Sequence, residues 1–576
     1  MSGITPSQDG SALEQNPSTV WPGWTRDLPH VTQLDGTIRI QEYGIRFKDD
    51  NDKPPFYPLP LLQHVFTEQA LSVEMNALSG ICNRTSLIKQ VLGHDNTITY
   101  IKVFAILKVI DRLDRLPAFV QGQVSDQELP LTFKGGQPED GLYGKSGKPL
   151  PGDLLKGYTR KSFYTEQYNM LPHFFQSRDQ PCDLRWRHVL PYYKVAPTKT
   201  STELEYLSGS FGSVSKILIH PLCHGFNGKF NETNEHTFFA LKEYHKGNIV
   251  EFQREVKMLQ RFKHTNHQHI VTLLAAYTQD QKHFLVFPWA DYDLGLYWQM
   301  KNPTPNSKSA QLVQWICNQA WKLSEAVSRI HDLDEDSDVA EEERLYGRHG
   351  DLKPDNILWY RSGNGFGNLV ITDMGLSKTH RFKSRTYTLH NKPTAAPRYR
   401  PPEVEYEGSL MGRTFDIWTL GCVFLEFLIW LHGGSAKLEE ILETMMSPSI
   451  RGGDSEDYFE WVRVGEDEYY AIRVKEAVTK CIEDLRGNCA QFAYDFLDII
   501  ANQMLVVERN ERISAKELTE KMKSLSRNCD KNRDYCVRKK DRRVRDAPGQ
   551  KLHRKTFREG LSTKGKNNVP RLLINL

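Results

Sequence analysis

The residues with the most chemistry to offer lie in two short segments, Tyr346-Gly-Arg-His-Gly-Asp-Leu-Lys-Pro-Asp-Asn356 and Ile371-Thr-Asp-Met-Gly375. Asp351 can orient or deprotonate a hydroxyl, Lys353 can meet a phosphate, and Asn356 and Asp373 offer hard oxygens to a divalent cation. That set suits phosphoryl transfer from a nucleotide to a hydroxyl. The reaction needs alignment, neutralised charge and exclusion of water more than covalent help. An isolated Asp-Leu-Lys-Pro-Asp also reads as a capping turn on a surface, so the surrounding elements must decide.

Those elements are visible. Ile357–Trp359 and Leu369–Ile371 read as strands between the two segments. Upstream, Leu207-Ser-Gly-Ser-Phe-Gly-Ser-Val214 reads as a strand, turn and strand whose Gly209 and Gly212 let backbone N–H groups approach an anion. Phe239-Ala-Leu-Lys242 alternates like a buried strand ending on a cation. Asn248–Phe262 carries Phe252, Val256 and Leu259 at helical spacing and holds Glu251 and Glu255 one turn apart, either one a carboxylate that a buried lysine would need. Lys282-His-Phe-Leu-Val-Phe-Pro-Trp-Ala290 is an apolar strand running into a connector. His264, His267 and His269 have no carboxylate or cysteine at ligand spacing and read as a structural loop rather than a metal site.

Taken in order, these segments resemble the protein kinases, whose catalytic loop reads His-Arg-Asp-x-x-x-x-Asn and whose metal loop reads Asp-Phe-Gly. The resemblance covers residues 200–526 and implies an α+β, two-lobed fold: a small β-rich N-lobe and a larger helical C-lobe. It implies ATP and Mg²⁺ as cofactors, with phosphate passing to Ser or Thr of protein substrates, because Lys353 stands where kinases of that class usually carry lysine. Asp351 would then be the base and Lys353 the contact to the moving phosphate. Lys242, fixed by Glu255, would hold the α and β phosphates, and Gly209 and Gly212 would cover them. Val214, Ala240 and Leu358 would enclose the adenine. Pro288, Trp289 and Ala290 would form the hinge behind the bulky Phe287, and Asn356 and Asp373 would bind Mg²⁺.

Further matches follow. Arg398-Tyr-Arg-Pro-Pro-Glu403 resembles the end of the activation segment, with Pro401 for alanine, and Asp416-Ile-Trp-Thr-Leu-Gly-Cys-Val423 resembles the central C-lobe helix whose aspartate cups the catalytic loop. Within Glu508–Leu518, Arg512 would pair with Glu403. Phe163-Tyr-Thr-Glu-Gln-Tyr and His188-Val-Leu-Pro-Tyr-Tyr, with Phe-Pro-Trp-Ala-Asp at the hinge, are similar to a group of large kinase-domain proteins of filamentous fungi.

Four positions depart from the pattern. Leu207 replaces the first glycine of the phosphate loop. Gly350 replaces the arginine that reads an activation-loop phosphate, so loop phosphorylation is not expected to be an obligatory switch. Met374 replaces phenylalanine, a swap of similar volume. Ala396 stands where threonine is expected, with Thr394 two residues earlier. None of these removes a phosphate or metal ligand, yet they sustain an alternative, a pseudokinase scaffold that binds nucleotide or partners without transfer.

Composition bounds the rest. The chain has 576 residues and a net charge of +3, which supports no whole-chain nucleic-acid argument. Its nine cysteines are scattered without Cys-x-x-Cys, which suits a reducing compartment. The first residues lack a basic start and apolar core, and the apolar run Cys422–Leu431 is interrupted by Glu426 and too short to span a bilayer, so an intracellular protein, cytoplasmic or nuclear, is expected. Residues 1–55 read as a disordered N-terminal segment, and 56–195 as a helical region and linker, with apolar residues at helical spacing from Leu59 to Val120 (Val103, Ile106, Leu107 and Ile110 in phase) and a Gly/Pro-rich, linker-like stretch over Val124–Arg160. Asp332–Glu343 holds eight acidic residues and reads as a solvated insertion or a dock for basic substrates. Residues 527–576 carry 16 Lys/Arg against 5 Asp/Glu and read as a basic tail, either plainly disordered or making import-receptor or polyanion contacts. A second rival takes that tail as the main function.

Overall fold

The structure is a computed structural model. It describes residues 38–47, 53–80, 82–93, 98–133, 141–152, 154–178, 180–195, 206–208, 212–226, 238–262, 267–332, 345–362, 365–374, 378–381, 388–389, 397–405, 410–448, 454–463, 469–539, 555–560 and 571–573. The expectations for Gly209, His264, the acidic residues after Asp332, Thr394 and Ala396 lie outside them. The chain forms two compact units, Met1–Lys246 with Leu274–Trp289, and Gly247–Leu273 with Ala290–Leu576.

In the first unit six helices come early: α1 (Leu59–Val65), α2 (Glu68–Asn76), α3 (Arg84–Leu92), α4 (Ile101–Val109), α5 (Leu116–Gln121) and α6 (Gly157–Glu166). They gather on α4, whose Val103 to Leu107 are fully buried. Its N-terminus is closed from a distance, because the Asp126 carboxylate accepts the Val103 N–H at 2.9 Å and the Lys102 N–H at 3.2 Å. Thr67 caps α2 by accepting the Ala70 N–H.

Two sequence expectations fail here. The N-terminal 55 residues are not wholly disordered: Ile38, Ile40, Ile45 and Phe47 are buried in the same helical core, and Ile45 bridges Phe56. Four apolar residues among polar ones carry no periodic signal, so composition hid them. The Gly/Pro-rich stretch is not a linker either. Val124, Leu129, Leu131, Leu142, Leu154 and Leu155 are buried, β1 (Thr132–Phe133) pairs with β2 (Leu142–Tyr143), and the Gln167 amide clamps both polar groups of Leu131, at 2.7 and 2.9 Å. Glycine and proline turn the chain there without freeing it.

The sheet of this unit comprises β3 (Cys182–Leu184), β4 (Tyr192–Lys194), β5 (Tyr206–Ser208), β6 (Gly212–Ile219), β7 (Phe239–Tyr244), β8 (Ala275–Gln279) and β9 (Lys282–Pro288), in the order β3-β8-β9-β7-β6-β4 with β5 also on β6. It begins before residue 200, so the expected domain boundary cuts two strands off. Register sets Lys242 beside Val214 on one side and Leu285 on the other, and Ala240 beside Phe287.

The second unit is mainly helical, as the fold class requires. After α7 (Ile249–Phe262) come β10 (Tyr292–Asp293), the single turn α8 (Leu294–Leu296) and α9 (Ala310–His331), started by Ser309 accepting the Leu312 N–H. Then β11 (Leu345–Arg348), β12 (Ile357–Tyr360) and β13 (Asn368–Ile371) lead to α10 (Thr414–Thr444). Helix α9 fixes the β12–β13 hairpin through polar anchors: Gln319 accepts the Leu369 N–H, and the Trp315 indole donates to the Gly367 carbonyl, both at 2.8 Å. Gly367 is required at φ +84°, where a Cβ would press into the Trp359 indole.

Among the described residues α10 is long and apolar enough to cross a membrane, but its most apolar window is 94 % buried, which marks it as the core helix of this unit. It breaks at Gly434, φ +75°, and the Ser435 N–H turns out to the Pro303 carbonyl. Helices α11 (Glu476–Asn488), α12 (Gln491–Ile499) and α13 (Ala515–Lys531) complete the unit, α13 starting in a Ser514–Glu517 capping box and packing on α9. The tail is not wholly free. Helix α13 runs past 526, and Lys555–Gly560 pairs with Tyr469–Val474 and with Arg571–Leu573. Strand pairing uses the backbone, so a basic composition gave no hint of it.

Arg512 lies under α10 as expected, its guanidinium forked onto Glu403 with both contacts at 2.7 Å and its Nε donating to the Val506 carbonyl at 2.7 Å. Both side chains are almost fully buried. Arg512→Ala would strand the carboxylate, and such losses typically destabilise by about 3–5 kcal/mol. We expect chemical denaturation to show a drop of that size; a change near zero would mean that the fork contributes nothing.

Candidate active site

Asp416, in the first turn of α10, has no exposed surface. Its Oδ2 accepts the His349 N–H and the His331 Nε2–H, and its Oδ1 accepts the Gly350 N–H, all at 2.8 Å. Burial alone would raise its pKa. The hydrogen bond and charge of His331, then His349 and the Gly350 amide, outweigh that and hold it below the usual carboxylate range. The backbone that Asp416 grips is left-handed at Gly350, φ +85°. The missing arginine thus has a conformational side, since only glycine takes that geometry without strain.

From this anchor the loop carries Asp351, Lys353 and Asn356 together. Asn356 Nδ2 donates to the Asp351 carbonyl at 2.7 Å and to Asp351 Oδ2 at 3.0 Å, and Lys353 Nζ lies 3.5 Å from the same Oδ2. His349 joins the two segments: its Nε2–H donates to the Thr372 carbonyl at 2.8 Å, while its Nδ1 accepts the Asp351 N–H at 3.2 Å. These partners select one ring tautomer. The Thr372 N–H in turn donates to the Asn356 carbonyl at 3.0 Å. Because Ile357 pairs with Ile371, Asn356 and Asp373 emerge at the same end of the hairpin. Asp373 has φ +60°, an uncommon conformation for a residue with a side chain and one that collects at functional sites.

The donor chemistry fits Mg²⁺. With Asn356 Nδ2 bound to Asp351, its amide oxygen and the Asp373 carboxylate are hard oxygen donors of the kind this cation takes. Met374 is fully buried behind them. Leu358 is half-buried on β12, beside Asp293 and Val370.

In the first unit Lys242 stands on β7 with its Nζ 5.3 Å from the Tyr244 ring centroid. Gly212 is required by the sheet as well as by any phosphate, because a Cβ there would run into the Glu243 carbonyl. Phe287 is buried, Pro288 ends β9, and the Trp289 amide is committed to the Phe238 carbonyl at 3.2 Å. Ala290 opens the second unit and is buried. Glu255 is 2 % exposed on α7, whereas Glu251 is half-buried. Lys242 and Glu255 belong to different units.

Of the histidines, His269 donates through Nδ1 to the Leu369 carbonyl at 2.7 Å, and His267 lies 3.4 Å from Glu325, so both tie the loop to its surroundings as a structural loop should.

Sequence reasoning did not find a set of polar pairings near Asp355. Arg398 binds Glu456 at 2.8 Å, Arg400 forks onto Asp457 at 2.8 and 3.1 Å, and the fully buried Glu426 accepts from Tyr458 at 2.9 Å and Tyr399 at 3.1 Å. Together with Asp355, Glu439 and Glu443, Glu426 lines a cavity of about 730 Å³. The one available signal was a lone acid inside the apolar run of α10. His331 gave none.

The family model of the protein kinase domain matches residues 224–522, slightly more than half of the chain, beginning after the segment read as a phosphate loop. Similar proteins include a cyclin-dependent kinase 2 of Caenorhabditis elegans, 31 % identical over 36 % of this chain and 50 % of that protein. A cyclin-dependent kinase 8 of Drosophila melanogaster is 25 % identical over 36 % and 43 %, and a mitogen-activated protein kinase 12 of Mus musculus is 24 % identical over 57 % and 80 %. The chain thus spans about half the length of the first two.

Burial raises the Glu426 pKa from 4.5 to about 7, with the tyrosine hydrogen bonds and Arg398 only partly offsetting it. The folded state therefore holds this proton more tightly than the unfolded chain, and stability falls as pH rises from about 4.5 to 7. Glu426→Gln removes the titration. It is expected to melt higher than the parent at pH 8, by on the order of 3 kcal/mol, with the difference mostly gone at pH 5. An equal offset at both pH values would mean that Glu426 stays ionised.

Proposed function

The chain belongs to the protein kinase domain family, and from that membership we propose that it is an active kinase moving the γ-phosphate of Mg·ATP to Ser or Thr hydroxyls of protein substrates. The observation that carries this reading is the linkage of Asp351, Lys353 and Asn356 around one carboxylate oxygen. With Oδ2 of Asp351 held by the Asn356 amide and faced by Lys353, the carboxylate is fixed in one orientation from which it would align the incoming hydroxyl and receive its proton. Lys353 would also meet the phosphate being moved. Asn356 and Asp373 would hold Mg²⁺, which supplies charge neutralisation on the phosphates. Lys242 would hold the inner phosphates, while Val214, Ala240 and Leu358, with the polar groups of Pro288 and Ala290, would receive the adenine.

The carboxylates around the cavity beside Asp355 support substrates with a basic residue near the accepting hydroxyl. The rival, a scaffold without transfer, draws on Leu207 and Gly350. The hydrogen-bonded state of Asp351 and the full set of phosphate and metal residues favour transfer.

Asp373→Asn should reduce phosphotransfer from radiolabelled ATP by about two orders of magnitude or more, since a neutral amide binds Mg²⁺ poorly, and Lys242→Met should do likewise. Turnover at the parent rate in either variant would remove that residue from its role, and an inactive parent would favour the scaffold.

Gly350 generates the remaining expectation. It offers no charge to a loop phosphate, and Arg348, two residues earlier, is buried with its guanidinium 5.6 Å from the Phe415 ring centroid. Phosphatase-treated enzyme should therefore phosphorylate substrate without a lag. A lag abolished by prior incubation with ATP would show that another cation reads the loop.

A further inference from the structure

A groove of about 900 Å³ in the first unit is lined by Lys53, Tyr168, Trp186, Arg187, Tyr193 and Lys194, among others. None of these has a part in phosphoryl transfer. The groove is assembled where the N-terminal segment, the end of α6 and the chain between β3 and β4 meet.

Two of its groups are left in unfavourable surroundings. Trp186 is 66 % exposed, a large apolar surface for a folded chain to leave in water. Beside it the Arg187 guanidinium is stacked 4.5 Å from the Trp186 ring centroid and 5.0 Å from that of Tyr164, while its buried Nε has no hydrogen-bond partner among the described residues. A buried N–H without an acceptor is costly. Rings on its faces leave a guanidinium only its edge, and the edge is what binds a carboxylate with two parallel hydrogen bonds.

The charge of the groove points the same way. Lys53, Arg187 and Lys194 stand against one lining carboxylate, Glu166, which already accepts from the Asn169 amide at 2.9 Å. Lys194 is 43 % exposed although Glu243 lies 3.7 Å away, and Lys53 is held over the Phe47 ring at 4.6 Å. Aromatic residues with arginine at the centre of a groove are also the composition that dominates binding at protein interfaces.

We propose that this groove docks an acidic peptide segment of a partner protein, with carboxylates on Arg187 and Lys194 and an apolar side chain on Trp186. The carboxylates answer the excess of cations in the groove, and the apolar side chain answers the exposed Trp186 ring. The groove volume accommodates several residues, which suits an acidic motif read by an arginine and flanking pockets.

The test is fluorescence anisotropy on the full chain with a fluorescein-labelled peptide of alternating Asp/Glu and Phe/Leu. Controls are the same peptide with lysine for every acid and a peptide of glutamate alone. Saturable binding is expected for the first, weakening with salt and at least tenfold weaker for both controls. Trp186→Ala and Arg187→Gln should each lower the affinity at least tenfold. Trp186 is exposed, so its variant should keep the parent melting temperature and serves as the decisive one if Arg187→Gln unfolds. No saturable binding, equal binding of either control, or undiminished affinity in Trp186→Ala would overturn the proposal. The readout is binding, so its failure leaves the kinase reading untouched, and an inactive enzyme leaves the docking reading untouched.

Discussion

One buried carboxylate fixes the geometry on which the second unit's chemistry depends. Asp416 gathers the end of α9, the start of the base loop and the first turn of α10 at a single point. An isolated charge at zero exposure would be untenable, and it is stable here because three donors surround it. Everything downstream hangs on that arrangement. His349, held by its backbone to Asp416, reaches by its ring to Thr372, so the segments that carry Asp351 and Asp373 share a frame. Asp351 and Asp373 are thereby placed by groups that never touch a substrate.

Residues that touch a reacting atom have few chemical choices, so their types and order carry over into sequence. The types and order of Asp351, Lys353, Asn356 and Asp373 singled them out as candidates for that reason, and the Arg512–Glu403 fork was legible because two charges had to be buried as a pair. The supports were legible only in part. His331 is one histidine at the end of a long helix and could have faced water. Glu456 and Asp457 sit far from Arg398 and Arg400 in sequence, and nothing local announces that they pair.

The N-terminal region was misjudged for a different reason. Its apolar residues are spaced by chain reversals, so they form no run with a period of two or 3.6, yet Ile38, Ile40, Ile45 and Phe47 enter the same core as α4. The tail strands escaped by the same logic in reverse, because the 555–560 strand is held by backbone pairing and needs no apolar alternation. The helices α1–α5 and the strands around Lys242 carried their own periodic signal, and sequence placed them well.

The His331 contact also governs how this chain can change over time. The last residue of α9 is fastened to Asp416, and Leu345–Arg348 is fastened by pairing to Lys378–Arg381. In sequence, residues 333–344 lie between these two fixed ends. Closing a loop between fixed ends depends only logarithmically on its length, each doubling adding about 0.6 kcal/mol. Insertions, deletions and charge changes at this point are therefore nearly neutral for the active-site frame. A lineage could lengthen or shorten the chain between these ends, residue by residue, while the segment that Asp416 holds stays where it is.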